Sequence, residues 1–256
     1  MRIVVKIGTS TLAHPSGHLN IRRVETLCKI MSDIKNAGHE VILVSSGAIG
    51  MGVGKLGRRQ RPTDIPSKQA AAAVGQCELM YTYDKLFSEY HHTVAQLLIT
   101  RDDTANEKRH SNFINTLNRL LELGTLPIIN ENDTIATDEI VIGDNDTLAA
   151  IVAQSIQADL LVLLSDIDGL YTADPHVDEN AVLLHRVTKV DADVLALAGV
   201  SSTTQGTGGM VTKLHAAEIC LGCGCDMVIA NGSRPENLYD ILDGKAVGTM
   251  FTGKCV

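Results

Sequence analysis

Residues 160–166 read Leu-Leu-Val-Leu-Leu-Ser-Asp, the most continuous apolar run of the chain, followed at once by two polar residues. An apolar run without alternation is typical of a strand that is covered on both faces. Residues 2–7 and 41–44 have the same character, although Lys6 interrupts the first of them. Strands of this kind are found in parallel sheets, so the three runs predict the interior of such a sheet.

Segments with helical spacing alternate with the strands. One helix is expected to start after an N-cap at Asn20 and to stop at Gly38. Its apolar stripe comprises Ile21, Val24, Leu27, Met31 and Ile34. Further helices are expected at residues 67–90, 112–123, 147–157 and 213–220, and further strands at 93–99, 126–129, 227–230 and 247–251. This alternation predicts an α/β fold, a mostly parallel sheet with helices on both faces, in one domain.

Composition and charge exclude several functions. The chain has 256 residues, 3% aromatic residues, no Trp and a net charge of −8, so nucleic acid is not expected as a partner. No apolar run approaches the length of a membrane span, and the N-terminus has a strand pattern, not that of a signal peptide. A reduced, cytoplasmic location is therefore expected. Cys220, Cys223 and Cys225 lack a second Cys or His pair at matching spacing, which disfavours a zinc site.

Polar and glycine-rich segments follow four of the predicted strands. They are residues 6–10 (Lys-Ile-Gly-Thr-Ser), 45–48 (Ser-Ser-Gly-Ala), 130–133 (Asn-Glu-Asn-Asp) and 165–169 (Ser-Asp-Ile-Asp-Gly). Each alone is weak, because strand ends usually lead into polar turns. Open parallel sheets bind ligands outside the carboxyl ends of their strands, so the four segments together predict a site at this edge.

Two lysines are candidates for contact with a phosphate. Lys6 is costly to bury in a strand without an anionic partner, and Gly8 and Thr9 allow backbone N–H groups to approach an anion. An edge strand with Lys6 facing water is the alternative. Lys213 follows a glycine run at the start of a predicted helix, where a bound anion would offset its conflict with the helix dipole. The alternative there is a plain loop before a helix.

Two further motifs lie close to these segments. Residues 143–146 read Gly-Asp-Asn-Asp before a predicted helix. One aspartate can serve as the N-cap, which leaves another free to orient both lysines without proton chemistry. Residues 52–57 satisfy the dinucleotide pattern G-x-G-x-x-G, but they do not join a strand directly to a helix. A dinucleotide site is therefore rejected.

Together these segments resemble the glutamate 5-kinases, a family within the amino acid kinase superfamily. The resemblance rests on residues 4–10, 46–49, 129–133, 143–146, 168–175 and 206–213, in that family's order. It implies the superfamily fold, an αβα sandwich around a largely parallel sheet. An amino-acid half is expected at about residues 1–155 and a nucleotide half at about 156–256, without the C-terminal PUA domain that many members carry.

The resemblance also implies residue roles. Lys6 and Lys213 resemble the catalytic lysines that neutralise the transferring phosphoryl group, and Asp146 resembles the aspartate that holds them. The substrate-binding positions are Ser46, Gly47, Asn130, Asp133 and Asn145. The nucleotide-binding positions are Lys6, Gly8, Thr9, Ser165, Asp166, Thr207, Gly208, Gly209, Met210 and Lys213. No metal ligand is indicated.

The implied reaction is the ATP- and Mg²⁺-dependent phosphorylation of the side-chain carboxylate of L-glutamate, the first step of proline synthesis. That carboxylate is ionised at neutral pH, so positioning and electrostatics replace a general base. The resemblance also implies a homo-oligomer, inhibition by proline and functional coupling to glutamyl phosphate reductase. Kinases acting on N-acetylglutamate, aspartate, carbamate or a nucleoside monophosphate remain alternatives, as does a non-catalytic amino-acid sensor.

Overall fold

The computed structural model describes residues 1–14, 18–58, 60–136, 145–175, 177–198 and 209–254. Its strands are β1 (Arg2–Ile7), β2 (Glu40–Ser45), β3 (Val94–Ile99), β4 (Leu126–Glu131), β5 (Leu160–Ser165), β6 (Arg186–Val187), β7 (Asp226–Asn231) and β8 (Thr249–Phe251). Its helices are α1 (Thr9–Leu12), α2 (Ile21–Asn36), α3 (Ala48–Lys55), α4 (Ile65–Ser88), α5 (Arg101–Ala105), α6 (Glu107–Glu122), α7 (Asn145–Ser155), α8 (Ala192–Ala198), α9 (Met210–Cys223) and α10 (Asn237–Leu242).

Within these ranges, eight strands form one sheet in the order β3-β4-β2-β1-β5-β7-β8-β6. The strands from β3 to β7 in this order are parallel, whereas β8 runs antiparallel to β7. The predicted α/β fold with a mostly parallel sheet is confirmed. From β1 the chain crosses to β2, and from β4 it returns past β1 to β5. The topological switch point, where ligands bind in such sheets, therefore lies between β1 and β5.

The two faces of the sheet form separate cores. On one face, Val4 belongs to the same apolar cluster as Leu148 of α7 and Leu214 of α9. On the other face, the neighbouring Val5 lies in the cluster that includes Leu27 of α2. Since side chains alternate between faces along a strand, Lys6 shares the face of Val4 and points toward α7 and α9.

Local sequence signals explain most of the element boundaries. The Asn20 side chain caps α2 by accepting from the backbone N–H of Arg23 at 3.2 Å, and Gly38 follows the helix end at φ 93°. The apolar stripe is buried at Val24, Leu27, Met31 and Ile34. The assignment of Ile21 to this stripe was wrong, because its side chain is 61% exposed.

Several elements differ from the predicted pattern. Helix α6 begins at Glu107, before the predicted start, because the Asn106 side chain caps it by accepting from Arg109 N at 3.1 Å. Helices α7 and α9 also begin before their predicted first residues. The short elements α1, α3, α5, α8, α10 and β6 were not predicted. The rejected pattern at residues 52–57 starts inside α3, so it forms no strand-to-helix turn. In the described part of the chain, no helix is both long and apolar enough to cross a membrane.

Helices α3 and α4 touch backbone to backbone. A Cβ atom on Gly75 would lie 1.7 Å from the carbonyl oxygen of Ala48, and one on Gly52 would lie 1.8 Å from that of Ala71. Helix α3 starts directly after Gly47, which has a φ of 97°. The contact with α4 therefore fixes the position of the helix start that follows β2.

Replacing Gly75 with Ala should destabilise the fold, because the added methyl group overlaps backbone atoms that cannot move aside. We expect the free energy of unfolding to fall by about 2–4 kcal/mol, measured by urea unfolding. Gly222 near the end of α9 is the matched control, since a Cβ atom added there would have no neighbour within 4 Å. Gly222→Ala should stay neutral or stabilise by up to about 1 kcal/mol through helix propensity. Equal effects of the two substitutions would contradict the packing argument.

Candidate active site

A buried carboxylate between two lysines lies at the switch point of the sheet. Lys6 Nζ is 2.6 Å from Asp146 Oδ1, and Lys213 Nζ is 3.0 Å from Asp146 Oδ2. The Asp146 side chain is 1% exposed, and the Lys6 and Lys213 side chains are 11% and 5% exposed. The hydroxyl of Thr212 lies 3.2 Å from Asp146 Oδ2. The structure therefore brings together the three residues predicted to be catalytic, from β1, α7 and α9.

Secondary structure explains how three distant parts of the sequence meet. Lys6 is near the carboxyl end of β1 and faces the helices that pack on Val4. Asp146 lies in the first turn of α7, where the helix dipole favours a negative charge. Lys213 follows closely after the start of α9, and its neighbour Leu214 is fully buried. The apolar contacts of these elements fix the three charged groups relative to one another.

The electrostatics of this triad keep Asp146 ionised. Burial alone would raise the pKa of Asp146, but attraction by the Lys6 and Lys213 ammonium groups, with their hydrogen bonds, lowers it to about 2. The triad brings two ammonium groups to one place that is largely buried. Ammonium groups held in this way are suited to an incoming anion, because hydrogen bonds between charged groups are strong.

Gly8 brings the backbone after β1 close to the Lys6 ammonium group. A Cβ atom on Gly8 would lie 3.6 Å from Lys6 Nζ, which is an ordinary van der Waals distance. Gly8 N donates to the Leu164 carbonyl at 3.4 Å, which joins the ends of β1 and β5. Thr9, the next predicted nucleotide-binding residue, begins the short helix α1.

Four of the remaining predicted nucleotide-binding residues lie at the end of β5 and at the start of α9. Ser165 ends β5, and its hydroxyl donates to Asp166 Oδ1 at 3.0 Å, so these two residues contact each other. Gly209 is the N-cap of α9, and the buried Met210 is its first residue. Thr207 and Gly208 lie outside the described residues, as do Gly143 and Asp144.

Beside the triad, neutral amide groups form a hydrogen-bond network. Asn145 Nδ2 lies 2.9 Å from each of three acceptors: Ser45 O, Ser46 Oγ and Asn130 Oδ1. Asn130 Nδ2 in turn donates to Gln76 Oε1 at 2.9 Å. The network joins the ends of β2 and β4 to the first residue of α7. Three predicted substrate-binding residues, Ser46, Asn130 and Asn145, are thus in direct contact.

Two other predicted substrate-binding residues lie at the same edge of the sheet. Gly47 is the N-cap of α3 and directly follows Ser46. Asp133 is half-buried in the turn after β4, where Ala136 N donates to Asn132 O at 3.0 Å. The structure places both on the side of the amide network, across from the ends of β5 and β7.

Sequence reasoning missed Gln76 and Thr212. Gln76 lies on α4 among residues that share a buried face, namely Ala72, Leu79 and Tyr83. A polar residue at helical spacing within an apolar stripe was the available signal. Thr212 lies within the segment Thr207–Lys213, which the resemblance assigns to nucleotide binding, but the contact of its hydroxyl with Asp146 was not predicted.

The chain is similar to known kinases over almost its full length. The amino acid kinase family matches residues 1–231. Glutamate 5-kinase from Clostridium perfringens (strain 13 / Type A) is 52% identical over 257 residues, covering 99% of this chain and 96% of that protein. Glutamate 5-kinase from Clostridium acetobutylicum is 54% identical over 253 residues, covering 99% and 95%.

Solved structures share the fold. Carbamate kinase from Giardia lamblia bound to AMP-PNP superposes with a TM-score of 0.70 at 18% identity, over 99% of this chain and 98% of that one. UMP kinase from Ureaplasma parvum gives a TM-score of 0.65 at 17% identity, over 98% of each chain. At these identities the similarity concerns the fold alone.

Asp146→Asn should remove a pH-dependent part of the stability. A carboxyl whose pKa is lowered by folding stabilises the protein above its unfolded value near 3.9, and this contribution is lost as the pH falls toward about 2. We expect the free energy of unfolding of the variant to be about 2 kcal/mol or more below that of the parent at pH 7. This difference should narrow between about pH 5 and pH 2. Urea unfolding at stepped pH measures this. Asp84→Asn, on the exposed face of α4, is the control, because it removes one carboxylate that is not part of the triad. A constant gap for Asp146→Asn would contradict the assigned electrostatics.

Proposed function

Because the chain belongs to the amino acid kinase family, and within it to the glutamate 5-kinases, we propose that it transfers the γ-phosphoryl group of ATP to the side-chain carboxylate of L-glutamate. The product is L-glutamyl 5-phosphate, and the reaction is the first step of proline synthesis. The observation that carries this proposal at the level of chemistry is the Lys6–Asp146–Lys213 triad, which holds two ammonium groups beside one buried carboxylate at the switch point of the sheet.

The triad suits the chemical problem of this transfer. A carboxylate oxygen of glutamate forms a bond to the γ-phosphorus while the bond from that phosphorus to the bridging oxygen breaks, and ADP leaves with the electron pair. Both reactants are anions, so neutralisation and alignment are the main requirements. Lys6 and Lys213 would neutralise the phosphoryl oxygens. Asp146 would hold both ammonium groups in place, and its low pKa keeps it from taking part as an acid near neutral pH.

The amide network suits recognition of the amino acid. Ser46, Asn130 and Asn145 lie next to the triad, because Asn145 and Asp146 are consecutive residues at the start of α7. Gly47 and Asp133 lie on the same side. A glutamate bound to these groups would extend its side-chain carboxylate toward the two lysines. Asp133, a half-buried carboxylate, is suited to the ammonium group of a free amino acid.

ATP would bind on the opposite side, near the ends of β5 and β7 and the start of α9. This assignment concerns Gly8, Thr9, Ser165, Asp166 and the segment from Thr207 to Lys213. Mg²⁺ would enter with the nucleotide, since it is commonly bound through substrate phosphates and keeps several waters. Within the described ranges, no group of three or more His, Cys, Asp or Glu side chains is placed to hold a metal ion. Carried by the phosphates, the metal would add positive charge to that of the lysines.

Further properties follow from the family assignment as proposals. The enzyme would work as a homo-oligomer, would be inhibited by proline at a site that overlaps that of glutamate, and would pass its reactive acyl phosphate to glutamyl phosphate reductase. A reduced, cytoplasmic setting is supported by the free thiols of Cys28, Cys77, Cys220, Cys223 and Cys225.

The direct test is a hydroxamate assay with ATP and Mg²⁺, because hydroxylamine traps an acyl phosphate. We expect turnover with L-glutamate and at least about 100-fold less with N-acetylglutamate or aspartate, since a site with polar groups for one substrate rejects others strongly. Carbamate and UMP are tested in parallel by ADP release. Preference for any of these four compounds would identify a different kinase of the family, and no turnover with any would favour an amino-acid sensor.

Lys213→Met should lower kcat by about 10²–10³-fold with a much smaller change in the KM for glutamate. The reason is that its ammonium group acts on charge that develops during the transfer. Lys245→Met is the matched control, because Lys245 is an exposed lysine that pairs with Asp240. An unchanged kcat in Lys213→Met would remove this residue from the mechanism.

Asp133→Ala should act mainly on binding. We expect the KM for glutamate to rise by about tenfold or more, with kcat and the KM for ATP changed far less, since a charge-assisted hydrogen bond is lost. Initial rates over a matrix of glutamate and ATP concentrations separate the two effects. Unaltered saturation by glutamate would refute the assignment of Asp133.

A further inference from the structure

Gln76 is a buried polar residue whose contacts lead into the amide network. Its residue surface is 8% exposed, and its Oε1 accepts from Asn130 Nδ2 at 2.9 Å. Its Nε2 is buried and has no hydrogen-bond partner within the described ranges. An unpaired buried donor lowers stability, so an apolar residue would be the simpler choice at this position.

Two backbone groups determine how the amides of this network are oriented. Glu131 N donates to Asn130 Oδ1 at 2.9 Å, and Asn145 Nδ2 donates to the carbonyl oxygen of Ser45 at 2.9 Å. A backbone N–H cannot accept and a backbone carbonyl cannot donate, so neither asparagine amide can be reversed. Asn130 Nδ2 must then face Gln76 and needs an acceptor there. Gln76 Oε1 is this acceptor. Because Oε1 faces Asn130, the Gln76 Nε2 must take the position that has no hydrogen-bond partner within the described ranges.

The same orientation decides what Asn145 can offer a ligand. Its Nδ2 is surrounded by three acceptors, each at 2.9 Å. All hydrogen bonds of the Asn145 side chain within the described ranges are made through this nitrogen, so its Oδ1 remains as an acceptor. At neutral pH a free amino acid with an acidic side chain has two carboxylates, which only accept, and one ammonium group, which only donates. The group of such a substrate that matches Asn145 Oδ1 is therefore the α-ammonium.

Helix α4 supports the network at more than one point. Tyr83, on the same buried face as Gln76, has its hydroxyl 2.9 Å from Ser45 Oγ. The neighbouring Gly75 touches the backbone at the start of α3. The Gln76 side chain hydrogen-bonds to Asn130, which is a side chain of the amide network. The Tyr83 hydroxyl contacts Ser45 Oγ, whereas Asn145 contacts the carbonyl oxygen of Ser45.

We propose that Gln76 is a positioning residue for the α-ammonium group of the amino-acid substrate. The backbone contacts set which way each amide is turned, and Gln76 Oε1, by accepting from Asn130 Nδ2, helps to hold the Asn130 side chain where its Oδ1 accepts from Asn145 Nδ2. The Oδ1 of Asn145 is thereby presented to the ammonium. Gln76 itself does not touch the substrate, since its free nitrogen is buried. This inference rests on the proposed function, because it requires that the substrate be a free amino acid bound at the amide network.

Gln76→Met tests the proposal. Methionine keeps the length of the side chain but removes both the acceptor and the unpaired donor, so the two effects on stability oppose each other. We expect a small change in Tm, a rise of about tenfold in the KM for glutamate, and a kcat and a KM for ATP within about twofold of the parent.

Glutarate separates a specific effect from general damage, because it has both carboxylates of glutamate and no ammonium group. Used as a competitive inhibitor, it should bind the parent and Gln76→Met with inhibition constants that agree within about threefold. Equal weakening of glutarate and glutamate would overturn the proposal, since it would show a disturbed pocket and not a lost orientation.

Tyr83→Phe is the matched control on the same face of α4. It removes one buried hydrogen bond that involves neither asparagine side chain of the amide network, so it should lower the Tm while the KM for glutamate stays within about twofold. A rise in KM as large as that of Gln76→Met would show that any loosening of α4 affects the substrate, which would overturn the specific role of Gln76.

Two further variants establish the route of the effect. In an Asn130→Ala background, Gln76→Met should cause no additional rise in KM, because residues that act in series are not additive. Gln76→Glu keeps an oxygen opposite Asn130 Nδ2, and burial favours the neutral form of the new carboxyl group, so its KM should stay within about threefold. Additivity in the first experiment, or a tenfold rise in the second, would overturn the proposal.

The failure of this inference is distinguishable from that of the proposed function. If the parent enzyme does not phosphorylate glutamate, the proposed function is wrong and no variant needs to be made. If the parent is active and Gln76→Met has an unchanged KM, the function stands and the role of Gln76 falls.

Discussion

The ion pairs of Asp146 with Lys6 and Lys213 are the constraint on which the site depends. A carboxylate that is 1% exposed is stable only because two ammonium groups lie within 3.0 Å of its oxygens. Those groups come from β1 and α9, so the ends of both elements must stay at fixed positions relative to the start of α7. The apolar cluster that joins Val4, Leu148 and Leu214 provides this rigidity. The charged triad thus requires the packing beneath it, and removal of the Asp146 charge leaves two neighbouring ammonium groups that repel each other.

The topology of the sheet explains the position of the site. At the switch point between β1 and β5 the chain leaves in opposite directions, which opens a gap at the carboxyl ends of the strands. Gly8 lies at this gap, next to the Lys6 ammonium group. The start of α7 contributes both Asn145 and Asp146, which are consecutive residues but serve different neighbours. Asn145 belongs to the amide network and Asp146 contacts the two lysines, so a single helix turn holds the two halves of the site together.

Much of this arrangement could be predicted from sequence, for physical reasons. Lys6 lies inside a buried strand, and Lys213 follows a glycine run at a helix start. Each is costly to bury without an anion, and both face the Asp146 carboxylate. The parallel sheet could be predicted because the apolar runs at residues 2–7, 41–44 and 160–164 lack alternation. The exposure of Ile21 could not be predicted, because helical spacing does not show where a stripe stops facing the core. Helix α3 was missed because its glycines suggest a loop, although Gly52 is required by the close approach of α4. Gln76 was missed because its partners are distant in sequence and only the fold brings them together.

The two halves of the site differ in charge, and this difference has a consequence for catalysis. On the side of the amide network the described contacts of Ser46, Asn130 and Asn145 are neutral hydrogen bonds, which depend on orientation and change little as a reaction proceeds. On the other side, under the proposed function, Lys6 and Lys213 would act through charge, and their interaction would strengthen as negative charge develops on the transferring group. Under the proposed function, recognition on the side of the amide network would rest on oriented neutral groups together with the Asp133 carboxylate, and the charge of the lysines would act on the transition state, which is where it raises the rate. Fixed orientation is what makes neutral groups selective, and an amide network anchored by the Glu131 N–H and the Ser45 carbonyl provides it.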